Sequence, residues 1–153
     1  MRRKQRLILI HSVMQESTKV MLLTQEILNS VSLKAKESPR LRMNFNVHAS
    51  IEDKVHRMFN AMEPGTIVPI HRHQSSDETM VMLRGSLRVN LYDSNGNITE
   101  SHILKANSPV FGIDIKTGIY HGVEVLEEGT VMLEIKKGPY EPLKNEDILE
   151  IRQ

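Results

Sequence analysis

Two histidines separated by one residue, His71 and His73, are followed by Glu78 and, much later, by His121 in the run Gly118-Ile119-Tyr120-His121. Residues two apart on a strand share a face, so His71 and His73 present two imidazoles to one space. The polar loop Gln74-Ser75-Ser76-Asp77 returns the chain to Glu78 at the head of the next strand, and a later strand headed by His121 offers a third imidazole. Three neutral nitrogens and one carboxylate oxygen suit Zn, Fe, Ni, Mn or Cu better than Ca or Mg. With 0 Cys in the chain, thiolate ligands, disulfides and a cysteine nucleophile are all excluded. The expected cofactor is one divalent transition metal ion (Zn, Fe, Ni or Mn), because three imidazoles and a carboxylate buried without a cation would be poorly satisfied.

A second set of polar residues recurs at alternate positions: Arg40, Arg42, Asn44, Asn46 and His48, with Arg57 further on. Alternate residues of a strand share a face, and guanidinium groups pair bidentately with phosphate or carboxylate. Arg42, Asn44, Asn46, His48 and Arg57 are therefore the expected substrate contacts at the mouth of a site. His48 is the first candidate for a base, and no catalytic residue is assigned. His56 is expected as a sheet residue, His11 and His102 as exposed, and Met80, Met82 and Met132 as core filler. Tyr120 and Tyr140 read as packing residues.

These side chains need a scaffold of short strands. Thr24 is a good N-cap, Glu26 places an acid in the first turn, and Ile27, Leu28, Val31 and Ala35 fall on one face of a helix that Pro39 ends. A helix with one apolar stripe should lie on the outside of another layer. Ser86 to Asp93 alternates apolar and polar residues, as a half-buried antiparallel strand does. Asn95-Gly96 then marks a hairpin whose two central residues are expected at positive φ. Further strands are expected near 56–63, 66–71, 79–84, 98–104, 109–115, 119–126 and 130–136, so the fold class is mainly β, a closed sandwich or barrel with an N-terminal helix.

At 153 residues with 39% hydrophobic content, the chain suits one domain. The expected layout is a poorly patterned extension over 1–18, a single domain over 19–140 and a C-terminal tail or short helix over 141–153. A formal charge of +1 demands neither nucleic acid nor an anionic membrane. The basic start is followed by only Leu7-Ile8-Leu9-Ile10 before His11, short of a secretory core. No apolar run is long enough to span a bilayer. The expectation is a cytoplasmic protein with a small-molecule partner.

Residues 65–85 carry Gly65, His71, His73, Glu78 and Gly85 at the spacing of the first cupin signature, which this stretch resembles at every marked position. The second signature is matched in part: Gly118 and His121 are kept, Lys116 stands in place of a proline and Val125 in place of an asparagine. The runs Ser38 to His48, Asp53 with Val55-His56-Arg57, and Gly129 to Ile135 leading to Gly138-Pro139-Tyr140 extend the likeness. From about 19 to 140 the chain resembles the WbuC-type cupin-fold metalloproteins, and it departs from them at its end, Leu149-Glu150-Ile151-Arg152-Gln153.

That resemblance implies a cupin double-stranded β-helix, a homodimer, the metal ligands His71, His73, Glu78 and His121, and a role in bacterial surface polysaccharide synthesis of the O-antigen type. The leading expectation is a sugar or sugar-nucleotide isomerase or epimerase in which the metal polarises a carbonyl or hydroxyl as a Lewis acid. An iron-dependent dioxygenase and a non-catalytic sugar-binding or regulatory module are the alternatives.

Overall fold

The computed structural model describes residues 19–151. The expected extension over 1–18, with His11, lies outside the described residues, as do the last two positions of the chain.

Thr24 caps helix α1 (Gln25–Glu37), its Oγ1 accepting from the Ile27 N–H at 3.3 Å. Leu28, Val31 and Ala35 form the buried stripe, as the helical spacing requires. This stripe packs on Phe59, Ala61 and Val131, which form the outer face of a sheet.

Eight strands follow: β1 (Arg42–Asn46), β2 (Val55–Met62), β3 (Glu78–Arg84), β4 (Ser86–Tyr92), β5 (Ile98–Lys105), β6 (Gly112–Ile115), β7 (Tyr120–Val125) and β8 (Thr130–Lys137). They make two antiparallel sheets, a five-stranded one in the order β1-β2-β8-β3-β6 and a three-stranded one in the order β5-β4-β7. The core between the sheets is built from alternate residues, among them Met62, Met80, Leu87, Val89, Leu104, Val125 and Met132. Met80, Met82 and Met132 are core residues, in line with the sequence.

Three local expectations are corrected. Residues 66–71 form no strand; Pro69 lacks the N–H a ladder needs, and pairing is confined to isolated bridges at His71. The strand expected over 109–115 is shortened to Gly112–Ile115. At the β4–β5 turn only Gly96 has positive φ, at 87°. Asp93 Oδ1 accepts from the N–H groups of Asn95 and Asn97, each at 2.9 Å, an Asx turn that supports the chain without a second left-handed residue.

Asn145–Asp147 forms a single 3₁₀ turn, and Leu149 N–H donates to Ile70 O at 2.8 Å, so this stretch lies against the His71 segment.

Candidate metal centre

His71 and His121 form an isolated antiparallel bridge, with N–H to O distances of 3.1 and 2.9 Å. Glu78 opens β3, and His73 precedes it by a short loop. The loop before His121 is held where the expected proline is missing. Asp77 Oδ1 accepts from Thr117 N at 2.8 Å and Thr117 Oγ1 at 2.9 Å, and Gly118 N–H donates to His73 O at 2.8 Å. One ligand atom from each of His71, His73, Glu78 and His121 lies within 4.8 Å of the others. Glu78 is 2% exposed and His121 1% exposed, so both are shielded from water.

The hydrogen bonds around the imidazoles decide whether these residues fit a cation. His71 Nδ1 lies 2.8 Å from Pro69 O, and His121 Nδ1 lies 3.0 Å from Ile119 O. A carbonyl only accepts, so each Nδ1 carries its hydrogen and Nε2 is the ring nitrogen left for the cluster, the outer-shell arrangement found around metal-binding histidines. His73 Nε2 is buried without a hydrogen bond although Glu78 Oε2 is 2.9 Å away. His121 Nε2 lies 3.1 Å from the same oxygen. Two nitrogens thus converge on one carboxylate oxygen, with the His71 imidazole beside them, a donor set that suits a divalent transition metal.

The charges agree. Burial and the neighbouring His121 charge pull the His71 pKa down to about 4, so this imidazole is neutral near pH 7. At His121 burial opposes the charged form, but the hydrogen bond and charge of Glu78 outweigh it and raise the pKa. Burial alone would raise the Glu78 pKa; the hydrogen bond from Glu134 and the hydrogen bond and charge of His121 overcome this and hold it well below the usual range.

Glu134 and Asn60 were missed in the sequence. Glu134, on β8, is buried, and burial together with the Glu78 charge raises its pKa well above the ordinary value. Asn60 Nδ2 donates to Glu134 Oε2 at 3.0 Å. The available signal was parity, because Met132, Glu134 and Lys136 alternate along β8 and all face the site.

The quartet opens into a cavity of about 910 Å³ whose lining includes Arg42, Asn44, Asn46 and His48, so four of the five expected substrate contacts share it. Arg57 does not line it and is exposed. Its neighbours of the same parity on β2, Phe59 and Ala61, pack under α1, so the side chain points to the other face of the sheet. His48 is buried, stacks on His56 at 4.1 Å between ring centroids, and accepts at Nδ1 from Arg57 N–H at 3.1 Å. Arg40, Arg42, Lys136 and Lys144 line the cavity, and none forms a salt bridge among the described residues.

A family model described as "Domain of unknown function (DUF6016)" matches residues 23–104, more than half of the chain. The chain belongs to the DUF6016 family. No curated protein matches it in sequence. Among solved structures, TT1209 from Thermus thermophilus is similar at TM-score 0.57 and 19% identity, covering 77% of this chain and 97% of that one. KdgF from Halomonas sp. is similar at TM-score 0.53 and 16% identity, covering 68% of this chain and 84% of that one. Oxalate decarboxylase from Bacillus subtilis, described by its Mn(II) centers, is similar at TM-score 0.51 and 20% identity over 72% of this chain and 28% of that one. The fold of this DUF6016 chain is the cupin fold, as its two sheets and these neighbours show. It carries a His/Glu cluster able to bind a metal.

Proposed function

We propose that this chain is a mononuclear metalloprotein, with His71, His73, Glu78 and His121 as ligands, acting on an anionic hydroxylated small molecule. The observation that carries the reading is the convergence of four ligand atoms within 4.8 Å beneath a cavity lined by Arg40, Arg42, Lys136 and Lys144, none of which forms a salt bridge among the described residues. A divalent transition metal held by these four residues would supply Lewis-acid polarisation of a substrate oxygen.

The chain's own residues do the rest. Arg40, Arg42 and Lys136 bind a phosphate or carboxylate, and Asn44 and Asn46 offer amide groups to hydroxyls. Glu134 holds a proton at its carboxyl next to Glu78 and is the group placed to exchange one with a substrate atom. Isomerisation of a sugar, or epimerisation at a carbon next to a carbonyl of a sugar or keto-sugar nucleotide, needs only such proton transfers and no external oxidant. The resemblance to WbuC-type cupins supports a substrate from bacterial surface polysaccharide synthesis.

Elemental analysis of untagged protein tests the first step, with His71→Ala/His121→Ala as control. Near-stoichiometric metal that disappears in the control is expected. No metal in either sample after reconstitution overturns the reading. Incubation of the metal-loaded protein with nucleotide sugars should then give isomers without oxygen consumption; ferrous-dependent oxygen uptake would replace the isomerase with a dioxygenase.

A further inference from the structure

The segment that carries His71 and His73 belongs to no sheet ladder. On one side its pairing is the His71–His121 bridge. On the other side the C-terminal strap takes the place of a strand. His71 bridges Ile148, Arg72 N–H donates to Asp147 O at 3.0 Å, and Leu149 N–H donates to Ile70 O at 2.8 Å. The strap is anchored to β7 as well, since Tyr120 Oη donates to Glu146 O at 2.9 Å. The Arg72 guanidinium lies over the Tyr120 ring at 4.7 Å.

Asp147 is the charged side chain at the centre of this contact and is 8% exposed. Its Oδ1 accepts from Arg72 Nε at 3.2 Å and from Gln74 Nε2 at 2.7 Å. Arg72 and Gln74 alternate with His71 and His73 along the segment and line the same cavity. Holding both of them on one Asp147 oxygen fixes the rotation of the segment about its own axis, and with it the direction of the two imidazoles. We propose that Asp147 is a positioning residue for the metal centre, acting through Arg72 and Gln74. The proposal rests on the reading of the quartet as a metal site, and Asp147 itself touches no ligand atom.

The test is Co(II) and Zn(II) titration of the full-length protein, read by affinity and by the visible Co(II) spectrum. Asp147→Ala is expected to weaken metal binding about 10- to 100-fold, as loss of an outer-shell contact does, and to change the Co(II) bands. Asp147→Asn keeps Oδ1 as an acceptor and is expected to restore both. In an Arg72→Ala/Gln74→Ala background, Asp147→Ala should add little further loss, because the pathway it acts through is gone. Should Asp147→Ala fail to fold, Gln74→Ala, which leaves the backbone bonds of the strap intact, carries the same expected direction. Parental affinity and spectrum in Asp147→Ala, or a full additional loss in the double-alanine background, overturns the proposal while leaving the metal site standing. A parent protein that takes up no metal overturns both.

Discussion

His71 and His121 exchange both backbone hydrogen bonds, at 3.1 and 2.9 Å, and their imidazole centroids stand 4.5 Å apart. Two members of the His/Glu cluster from distant parts of the chain are thus set by a single bridge rather than by a full ladder. The fit depends on Gly122, where a Cβ would meet Ile70 Cγ1 at 3.1 Å and Tyr92 Cε2 at 3.5 Å. Gly122→Val should push the Ile70–His71 segment off β7. The expected result is at least about a 10-fold loss of Zn(II) affinity, with faster hydrogen exchange at the His71 amide. Unchanged affinity would show that the bridge does not set the site.

Metal affinity should depend on pH through His121 more than through His71. His71 is already neutral down to about pH 4, whereas the raised pKa of His121 means that a proton must leave Nε2 before the metal binds. Affinity is expected to rise about tenfold per pH unit up to the His121 pKa and to level off above it. Glu78→Gln removes the charge that holds this proton and should flatten the slope. Without metal the two histidines act oppositely on stability. His121, raised in the fold, stabilises fully below the unfolded value near 6.5 and loses that contribution as pH rises through its folded pKa. His71, depressed, withdraws stability as pH falls from about 6.5 to about 4. Titration calorimetry and thermal unfolding across pH separate the two effects.

The pairing of His71 with His73 and the helix were legible because their signals are local: two histidines one residue apart, and a capped apolar stripe from Thr24 to Ala35. Other features depended on what lies across the sheet. Arg57 and Arg42 look alike in sequence, yet the register of β2 with β1 and β8 places Phe59 under the helix and turns Arg57 outward with it. Glu134 reads as an ordinary strand glutamate until its pairing with Met80 sets it beside the Glu78 strand. The strap was hidden for a similar reason. Residues 144–149 show no periodicity, and their structure comes from contacts with Ile70, Arg72 and Gln74 far earlier in the chain.

Gly85, which closes the 65–85 signature, has a steric role at the β3–β4 turn. Its φ is 68°, and a Cβ there would lie 2.3 Å from Thr130 Oγ1 and 2.9 Å from Thr130 Cα. The hydroxyl alone could rotate away, but the backbone of a central strand cannot. Gly85→Ala is expected to destabilise the fold by roughly 2 kcal/mol or more, from left-handed strain together with overpacking. Urea unfolding of metal-free protein gives the measurement, and a change below about 0.5 kcal/mol, the usual range for neutral surface changes, would contradict it.

Arg42 gives the sharpest expectation for ligand binding. Its Nε is buried without a partner, while Nη1 donates to Ile67 O at 3.1 Å. Burial and the Arg40 charge together lower its pKa, so the guanidinium is held where its charge is disfavoured. A phosphate or carboxylate in the cavity would satisfy the free Nε–H and offset the repulsion between the two arginines. Arg42→Ala should therefore weaken binding of a sugar phosphate or nucleotide sugar by about 10- to 100-fold, the scale of a hydrogen bond to a charged group. Arg42→Lys should recover only part of this, because an ammonium lacks the planar fork. Binding to the parent should weaken as salt is raised. Arg57→Ala, on the far face of the sheet, should leave affinity unchanged. Calorimetric titration of the four proteins decides the matter: equal losses in the Arg42 and Arg57 variants would mean that net charge, not the cavity wall, attracts the anion.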